Sequence, residues 1–423
     1  MVGVAVNLTD VPVAPHRLPL AGHLARLARD PVGFLTSLRD KGSIVGVNLG
    51  PLRVYVLTDA ALANQVLVER GRSFAKGKLF DEVRPLLGDG LLTSGRELHL
   101  RQRRVIQQVF HRERLANYAT TMRDRARSLA ASWHAGQRLR VDHVMVDFAL
   151  NTLLGTIFAS EITQSTTDTI RRSLRTIERG VLMRTITPRP LLVLSGADRR
   201  FTAVARRLRG IIDELIERDR GDENLLRVLL DARDPETGER IDPELVRDEL
   251  ASFLAAGTET TSSTLAWVFH EMGRDPALDQ RVHDDDNVLR AVISETLRLY
   301  SLPMLMRRAV EPVEIGGVLL PTGTEVLFSP AALHRDPDIF PDPLRFSADR
   351  WLTTAPPREC FLPFGNGTRR CIGETFALTE IAIAVREIVR RWRLIPVPGK
   401  EVRAVAHATT YPNRLPMTVA PRH

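Results

Sequence analysis

The chain has 423 residues, of which 43% are hydrophobic and 26% charged, as is usual for a soluble globular protein. No apolar run reaches the roughly 18 residues that a membrane-spanning helix needs, and Met1 to Pro15 lack the regions of a signal peptide, so we expect a cytoplasmic protein without a membrane anchor. Two cysteines exclude a disulfide framework, and the formal charge of +8 comes mostly from scattered arginines without a DNA-reading motif, which argues against nucleic acid as a partner.

Helical periodicity dominates the chain, and the few predicted strands are short. We expect one mainly α domain over residues 1–423, because no repeat, low-complexity tract or linker divides it. In chain order, the pattern predicts a helix at 24–41, strands at 44–49 and 53–57, mostly helix over 62–277, a hairpin at 313–320 turning on Gly316-Gly317, a strand at 325–328, ordered coil at 336–357 and a last helix at 374–393.

The strongest motif is the segment 364–373, which reads FGNGTRRCIG. Its glycines permit a tight turn that brings backbone N–H groups near the sulfur of Cys371, and helical periodicity starts directly after this cysteine. Both features favour a thiolate, while Phe364 adds an apolar cover and Arg369 a nearby cation. The alternative, a buried free cysteine in a structural role, describes Cys360 better, since that residue has no such surroundings.

Two further motifs lie on predicted helices. The small residues of the stretch 255–261, AAGTETT, let a flat ligand approach the backbone of a long apolar helix. Within it, the acid Glu259 beside the alcohol Thr260 suits proton delivery, although solvated side chains around a glycine are an equal alternative. Glu295 and Arg298 are three residues apart and share a helix face, which in an ordinary surface pair contributes about a few tenths of a kcal/mol.

These motifs resemble those of the cytochrome P450 family of haem-thiolate monooxygenases. The segment 364–373 fills every fixed position of the family's haem-binding loop: Phe, two residues, Gly, one, Arg, one, Cys, one and Gly. The resemblance covers nearly the whole chain. It implies the cytochrome P450 fold, a mainly α domain with small β-sheets around a buried haem b, whose iron is bound by Cys371.

The resemblance also assigns roles to residues far from this loop. Glu259 and Thr260 match the acid–alcohol pair that relays protons to iron-bound dioxygen. Glu295 and Arg298 match a buried ion pair that an arginine from the irregular coil completes, here Arg350. The usual proline two residues before that arginine is an alanine in this chain.

The two propionates of a buried haem require basic partners. His99 and Arg103, four residues apart, are similar to the family's propionate-binding helix; without the resemblance they form a solvated helix face. Arg307 matches a further contact, with its neighbour Arg308 as the alternative register. Arg369 is the fourth candidate.

The expected function also comes from this resemblance. One atom of dioxygen enters a hydrophobic small molecule, and the electrons come from an acidic ferredoxin and its NAD(P)H-dependent reductase, because the chain has no flavin or nicotinamide fingerprint. A peroxide-driven peroxygenase and a non-catalytic haem sensor or carrier are the alternatives; the acid–alcohol pair argues against the first. The expected substrate pocket is apolar and comprises Phe80, Leu254, Ala255, Ala256, Met304 and Leu305.

The interval from Glu259 to Glu295 is short, as in soluble bacterial members, while the haem loop and the stretch 295–300 are similar to eukaryotic ones. This mixture resembles actinobacterial terpene-oxidising members such as the pentalenene and albaflavenone oxygenases. A terpenoid or polyketide of secondary metabolism is therefore the expected substrate. We expect the redox partner to contact a basic surface beside the thiolate, formed by Arg101, Arg104, Arg358 and Arg370, with Arg112 and Arg114 near its edge. The alternative is a solvated basic face without a partner.

Overall fold

The computed structural model describes residues 7–158, 162–187, 189–221, 224–353 and 356–422. None of the helices in these ranges is both long and apolar enough to cross a membrane. The helices are α1 (Leu24–Arg29), α2 (Pro31–Thr36), α3 (Ala60–Asn64), α4 (Lys78–Asp81), α5 (Arg84–Leu87), α6 (Arg96–Ile106), α7 (Arg112–Ala131), α8 (Val141–Ile157), α9 (Gln164–Ile186), α10 (Arg189–Leu194), α11 (Ala197–Arg218), α12 (Leu225–Asp231), α13 (Pro243–Arg274), α14 (Pro276–Asp284), α15 (Asp286–Leu299), α16 (Pro330–Leu333), α17 (Arg350–Thr353) and α18 (Glu374–Val389).

The strands form four small sheets. A five-stranded sheet has the order β1-β2-β8-β5-β3, a three-stranded sheet the order β4-β12-β9, and β6-β7 and β10-β11 are two-stranded. Their bounds are β1 (Ile44–Leu49), β2 (Leu52–Leu57), β3 (Phe74–Lys76), β4 (Arg138–Arg140), β5 (Leu305–Ala309), β6 (Val313–Ile315), β7 (Val318–Leu320), β8 (Glu325–Phe328), β9 (Trp392–Pro396), β10 (Ala404–Ala406), β11 (Thr410–Pro412) and β12 (Pro416–Pro421).

Helix α13 lies at the centre of the packing. Its N-terminus is stabilised, because Asp242 accepts a hydrogen bond from the N–H of Glu244 and Pro243 occupies the first turn. Its first half contributes to an apolar core shared with α5, α8 and α11, and its second half to another core shared with α8, α15 and α18. Apolar packing on both sides therefore fixes the position of the middle of α13.

The predicted strands at 44–49, 313–320 and 325–328 are confirmed, and so is the mainly α architecture. The single helix predicted at 24–41 is wrong. Pro31 has no N–H to continue a helix, and the side chain of Asp30 accepts from the N–H of Gly33, so α2 starts there as a separate helix. The last helix ends at Val389, before the predicted 393, because the following residues pair as β9 with β12.

The five-stranded sheet matters for the site because β3 pairs antiparallel with β5. This pairing sets Lys76 directly opposite Arg307, and Ala75 opposite Arg308. Successive side chains along a strand point to opposite faces, so Lys76 and Arg307 share one face and Arg308 lies on the other. Two cations that are 231 positions apart in sequence thus become neighbours.

A fully buried ion pair links α15 to the irregular coil before α17. Glu295 and Arg298 are both 0% exposed, and the guanidinium binds the carboxylate through two hydrogen bonds, Nε to Oε2 at 2.8 Å and Nη2 to Oε1 at 2.9 Å. Arg298 Nη1 also donates to the carbonyls of His334 and Pro343, at 2.9 and 2.8 Å. These bonds replace the hydration that both charges lose on burial.

The remaining bonds to Glu295 come from residues that the sequence did not indicate. The backbone N–H of Ser347 and the indole N–H of Trp351 each donate to its carboxylate at 2.9 Å. Arg350, the expected third partner, lies 3.5 Å from Glu295 Oε2 through its Nε and makes no hydrogen bond with that atom. Arg350 therefore contributes the ion pair that the resemblance implies, and Trp351 adds a hydrogen bond that it did not indicate.

We predict that Arg298→Ala lowers the free energy of unfolding by about 3 to 5 kcal/mol, because it leaves the buried Glu295 carboxylate without its counter-charge. Arg290→Ala is the matched control: Arg290 is exposed on the same helix and bonds to Asn287 only. Chemical denaturation of both variants measures the difference. If Arg298→Ala unfolds at the same denaturant concentration as Arg290→Ala, the pair is no more than a surface interaction.

Candidate functional site

The loop that carries Cys371 is closed by its own backbone. The N–H of Cys371 donates to the carbonyl of Phe364 at 2.9 Å, and α18 begins three residues later at Glu374. Gly367 has a φ of +70°, and a Cβ atom at this position would lie 2.0 Å from the carbonyl oxygen of Leu67. Only glycine therefore fits here, since a side chain is excluded both by the backbone conformation and by the close neighbour.

The two cysteines differ in their electrostatic surroundings. Cys371 is the more exposed of the two. Burial and, to a smaller extent, the neighbouring Glu374 raise the pKa of its thiol, while a hydrogen bond from the Gly373 N–H and the charges of Arg103 and Arg370 favour the thiolate. Burial likewise raises the pKa of Cys360, but there the neighbouring charges are acidic and raise it further. A metal binds the thiolate, so Cys371 is the better ligand.

Five basic side chains gather around this thiol, and we call them the cationic cluster. They come from separate parts of the fold: β3, α6, β5 and the cysteine loop. Their mutual influence on pKa values, which also extends to the Cys371 sulfur, shows that they are close together. The members of the cluster are Lys76, His99, Arg103, Arg307 and Arg369.

The described part of the protein does not balance the positive charge of the lysine and the three arginines in the cationic cluster, in which His99 is the uncharged member at neutral pH. Burial, followed by Arg307 and Arg369, holds the pKa of Lys76 well below its usual range. Burial and the same cations lower the pKa of His99 to about 3, and burial lowers those of Arg307 and Arg369 to about 10. In the described ranges, no acidic side chain forms an ion pair with any member of the cluster.

One nitrogen of the cationic cluster lacks any partner. Arg369 Nη2 donates to the carbonyl of Ser94 at 3.1 Å, but its Nη1 is buried without a hydrogen bond. Arg103 Nη1 donates to the carbonyl of Arg370 at 2.6 Å and so ties α6 to the cysteine loop. Buried charges of one sign and an unsatisfied guanidinium nitrogen require an anionic group.

The middle of α13 presents an open face. Ala256 and Thr260 are four residues apart and both exposed, in a stretch where Thr258, Glu259 and Thr261 are buried. The Thr260 hydroxyl donates to the carbonyl of Ala256 at 2.6 Å, the bond to the preceding turn that bends helices. Because successive helical residues are about 100° apart, Glu259 points to a different side of the helix from Thr260.

Comparisons with known proteins decide the family. The cytochrome P450 family model matches residues 12–415. The chain is 40% identical to cyclooctat-9-en-7-ol 5-monooxygenase of Streptomyces melanosporofaciens, over 97% of this chain and 95% of that one, and 34% identical to pentalenene oxygenase of Streptomyces avermitilis, over 97% of both. The chain belongs to the cytochrome P450 family. The crystal structure of the cytochrome P450DA haem domain has the same fold, with a TM-score of 0.85, 25% identity and 99% of both chains covered.

The residues of this cytochrome P450 fit the family's cofactor, haem b. Its two propionate carboxylates would supply the anions that the cationic cluster lacks, and Cys371 would offer a sulfur ligand to its iron. When bound, the haem supplies the oxygen-activating chemistry of this oxidoreductase.

The strand pairing places the two arginines that the sequence left open on opposite faces of the sheet. Arg307 is buried in the cationic cluster, whereas Arg308 binds Glu325 and Asp81 at 2.6 and 2.7 Å on the other face of the sheet. The same pairing adds Lys76, which sequence reasoning missed. The chain has few lysines, but only the register of β3 against β5 shows that this one faces the haem site.

The predicted pocket residues divide into four groups. Leu254 is 0% exposed and packs in the first core, so it does not face open space, while Ala255 is partly buried beside it. Ala256 lies on the open face of α13. Phe80 is buried under the ammonium of Lys76, which lies 4.2 Å from its ring centre. The remaining two, Met304 and Leu305, are partly buried near the start of β5.

We predict opposite effects of Lys76→Met with and without haem. Loss of a charged partner should speed haem release roughly tenfold to a hundredfold, as expected for a charge-assisted hydrogen bond of about 1.5 to 3 kcal/mol. The haem-free protein should instead melt at a higher temperature, because one of several buried like charges is gone.

Haem transfer to a scavenging protein and thermal melting of the haem-free chain measure the two effects. Lys78→Met, two residues away, is the control that removes the same charge outside the cationic cluster. Equal haem release by Lys76→Met and Lys78→Met would exclude Lys76 from the cofactor site.

Proposed function

We propose that this cytochrome P450 inserts one oxygen atom of dioxygen into a cyclic terpenoid of secondary metabolism. Each turnover consumes one substrate, one dioxygen, two electrons and two protons, and it yields the hydroxylated product and water. The observation that carries the substrate class is the similarity over nearly the whole chain to two oxygenases named for cyclooctat-9-en-7-ol and pentalenene. The open face of α13 supports it, since Ala256 presents no charge to a ligand.

In this proposal each group of residues has one task. Cys371 binds the haem iron, and the cationic cluster holds the propionates. Glu259 supplies protons and Thr260 positions them on the open face. A peroxide-driven reaction would need no such pair, and a sensor would form no product, so consumption of NADPH with product formation separates the three functions. We further infer a single domain over 1–423, which the extent of the family match supports, and a cytoplasmic location.

We predict that pentalenene and cyclooctat-9-en-7-ol change the haem absorption spectrum saturably, whereas charged metabolites of similar size do not. Ala256→Phe should weaken this binding about tenfold or more, because it fills the open face next to Thr260; tenfold corresponds to about 1.4 kcal/mol. Ala197→Phe, an exposed alanine on α11, is the control at equal haem content. Unchanged binding by Ala256→Phe would contradict the placement of the substrate.

We propose an acidic ferredoxin as the electron donor. Of the six arginines expected at its docking surface on this protein, three form ion pairs with acidic side chains and are therefore excluded. Arg101 pairs with Asp234 and Glu239, and Arg104 pairs with Asp234 and Glu236.

Arg370 pairs in the same way with Glu374. The three arginines that remain are exposed and form no ion pair with an acidic side chain in the described ranges: Arg112, Arg114 and Arg358. Helix α7, which carries the first two, packs against α18, the helix that follows Cys371. An anionic partner is attracted best by such uncompensated charges.

We predict that Arg112→Glu with Arg114→Glu slows the first electron transfer from a ferredoxin at low salt. The wild-type rate should fall with salt, since the screening length drops from about 30 Å at 0.01 M to about 10 Å at 0.1 M. Arg199→Glu with Arg200→Glu is the control, because it changes the net charge equally on the exposed start of α11. A salt-independent rate, or equal rates for the two double variants, would rule out docking at this surface.

A further inference from the structure

A polar cavity of about 130 Å³ lies beside α13, bounded by α8, α9 and the β10–β11 hairpin. It runs inward from an exposed mouth with His143 and His407 to a buried floor with Glu259, which is 9% exposed. The residues of the open face, Ala256 and Thr260, are not among its described lining residues. Glu259 therefore stands between this cavity on one side and the haem side of the helix on the other.

The cavity is built to hold water. Its volume is enough for several water molecules, and its walls carry polar groups at short intervals. Ser262 and Ser263 of α13 line the floor, and Arg175 of α9 lines a wall. Ser262 donates to the carbonyl of Glu259 at 3.2 Å, and Ser263 lies 3.3 Å from the Thr409 hydroxyl. A dry apolar void would be lined differently.

We propose that this cavity conducts protons from solvent to Glu259 and that His143 is the proton-exchanging group at its mouth. The inference rests on the proposed function, in which Glu259 supplies the protons of the reaction. In each passage the imidazole of His143 accepts one proton from solvent and releases one to water in the cavity. That water protonates the Glu259 carboxylate, which passes one proton toward Thr260. No electrons move, and each group returns to its starting state.

The position of His143 suits this task. It follows Asp142 on α8, and the two side chains lie 3.6 Å apart, while Asp142 is itself fixed by the N–H of Leu415 at 2.9 Å. Burial lowers the pKa of His143, so the imidazole is neutral at pH 7 and able to accept a proton. The charged groups with the largest effect on this imidazole are Arg140, Asp142, Asp147 and Arg175, and Arg140 Nη2 lies 3.4 Å from its Nε2.

The first test measures no turnover. The pKa of His143 is followed by nuclear magnetic resonance of histidine-labelled holoenzyme, in the wild type and in Glu259→Gln. If the cavity connects the two groups, removal of the Glu259 charge lowers the pKa of His143 and leaves that of His134, an exposed histidine outside the cavity, unchanged. An unchanged pKa of His143 overturns the connection.

The second test is a double-variant cycle. The fraction of NADPH electrons lost to hydrogen peroxide is measured with whichever cyclic terpenoid gives the largest spectral change. We expect His143→Phe and Glu259→Gln each to raise this fraction severalfold, and the two together to raise it no further than Glu259→Gln alone, because both act on one route. His134→Phe should behave as the wild type.

The outcomes distinguish a failure of the proton-supplying role of Glu259 from a failure of the cavity route alone. Normal coupling in Glu259→Gln overturns the proton-supplying role of Glu259 and the cavity route with it. Raised peroxide in Glu259→Gln, combined with normal coupling in His143→Phe, overturns the cavity route alone. Additive effects of the two substitutions also overturn it, because they would place His143 and Glu259 on independent paths.

Discussion

Buried positive charge without a counter-ion is the constraint on which this structure depends. The cationic cluster brings Lys76, Arg103, Arg307 and Arg369 together with the neutral imidazole of His99 around Cys371, and the described protein supplies no carboxylate to balance the charges. Such an arrangement costs free energy in the haem-free chain and is relieved when a dianionic cofactor binds. Haem binding and folding are therefore linked, since any ligand that binds only the folded state stabilises it.

The second set of buried charges shows the contrasting solution. Glu295 and Arg298 are fully buried, but their charges cancel within the chain and nearly every polar atom has a bond. Their effect is to fix α15 against the coil that precedes the cysteine loop. The balanced pair holds two segments of the protein together, whereas the unbalanced charges of the cationic cluster favour the binding of an anion. Helix α13 separates the open face at Thr260 from the polar cavity at Glu259.

Features that lie within one short segment of the chain could be predicted from the sequence. The turn of the cysteine loop, the acid–alcohol pair and the Glu295–Arg298 spacing lie within short segments, and so their residues could be named in advance. Contacts between distant segments could not be foreseen. The register of β3 against β5 places Lys76 in the cluster and separates Arg307 from Arg308.

The ion pairs of the surface arginines likewise could not be foreseen from the sequence. Arg101 and Arg104 looked free in the sequence, yet the segment 234–239, more than 100 positions away, supplies their acidic partners. A pattern of residue types shows which side chains carry charge, but only the folded chain shows which of those charges are neutralised.

The most direct test of this account is the spectrum of the reduced protein with carbon monoxide, for Cys371→Ser beside Cys360→Ser. An alcohol cannot replace the anionic sulfur ligand, because its pKa is far higher. We expect Cys371→Ser to lose the red-shifted Soret band of a thiolate-bound haem while the protein stays folded, and Cys360→Ser to retain it. A normal band in Cys371→Ser, or its loss in Cys360→Ser, would contradict the assignment on which the site is built.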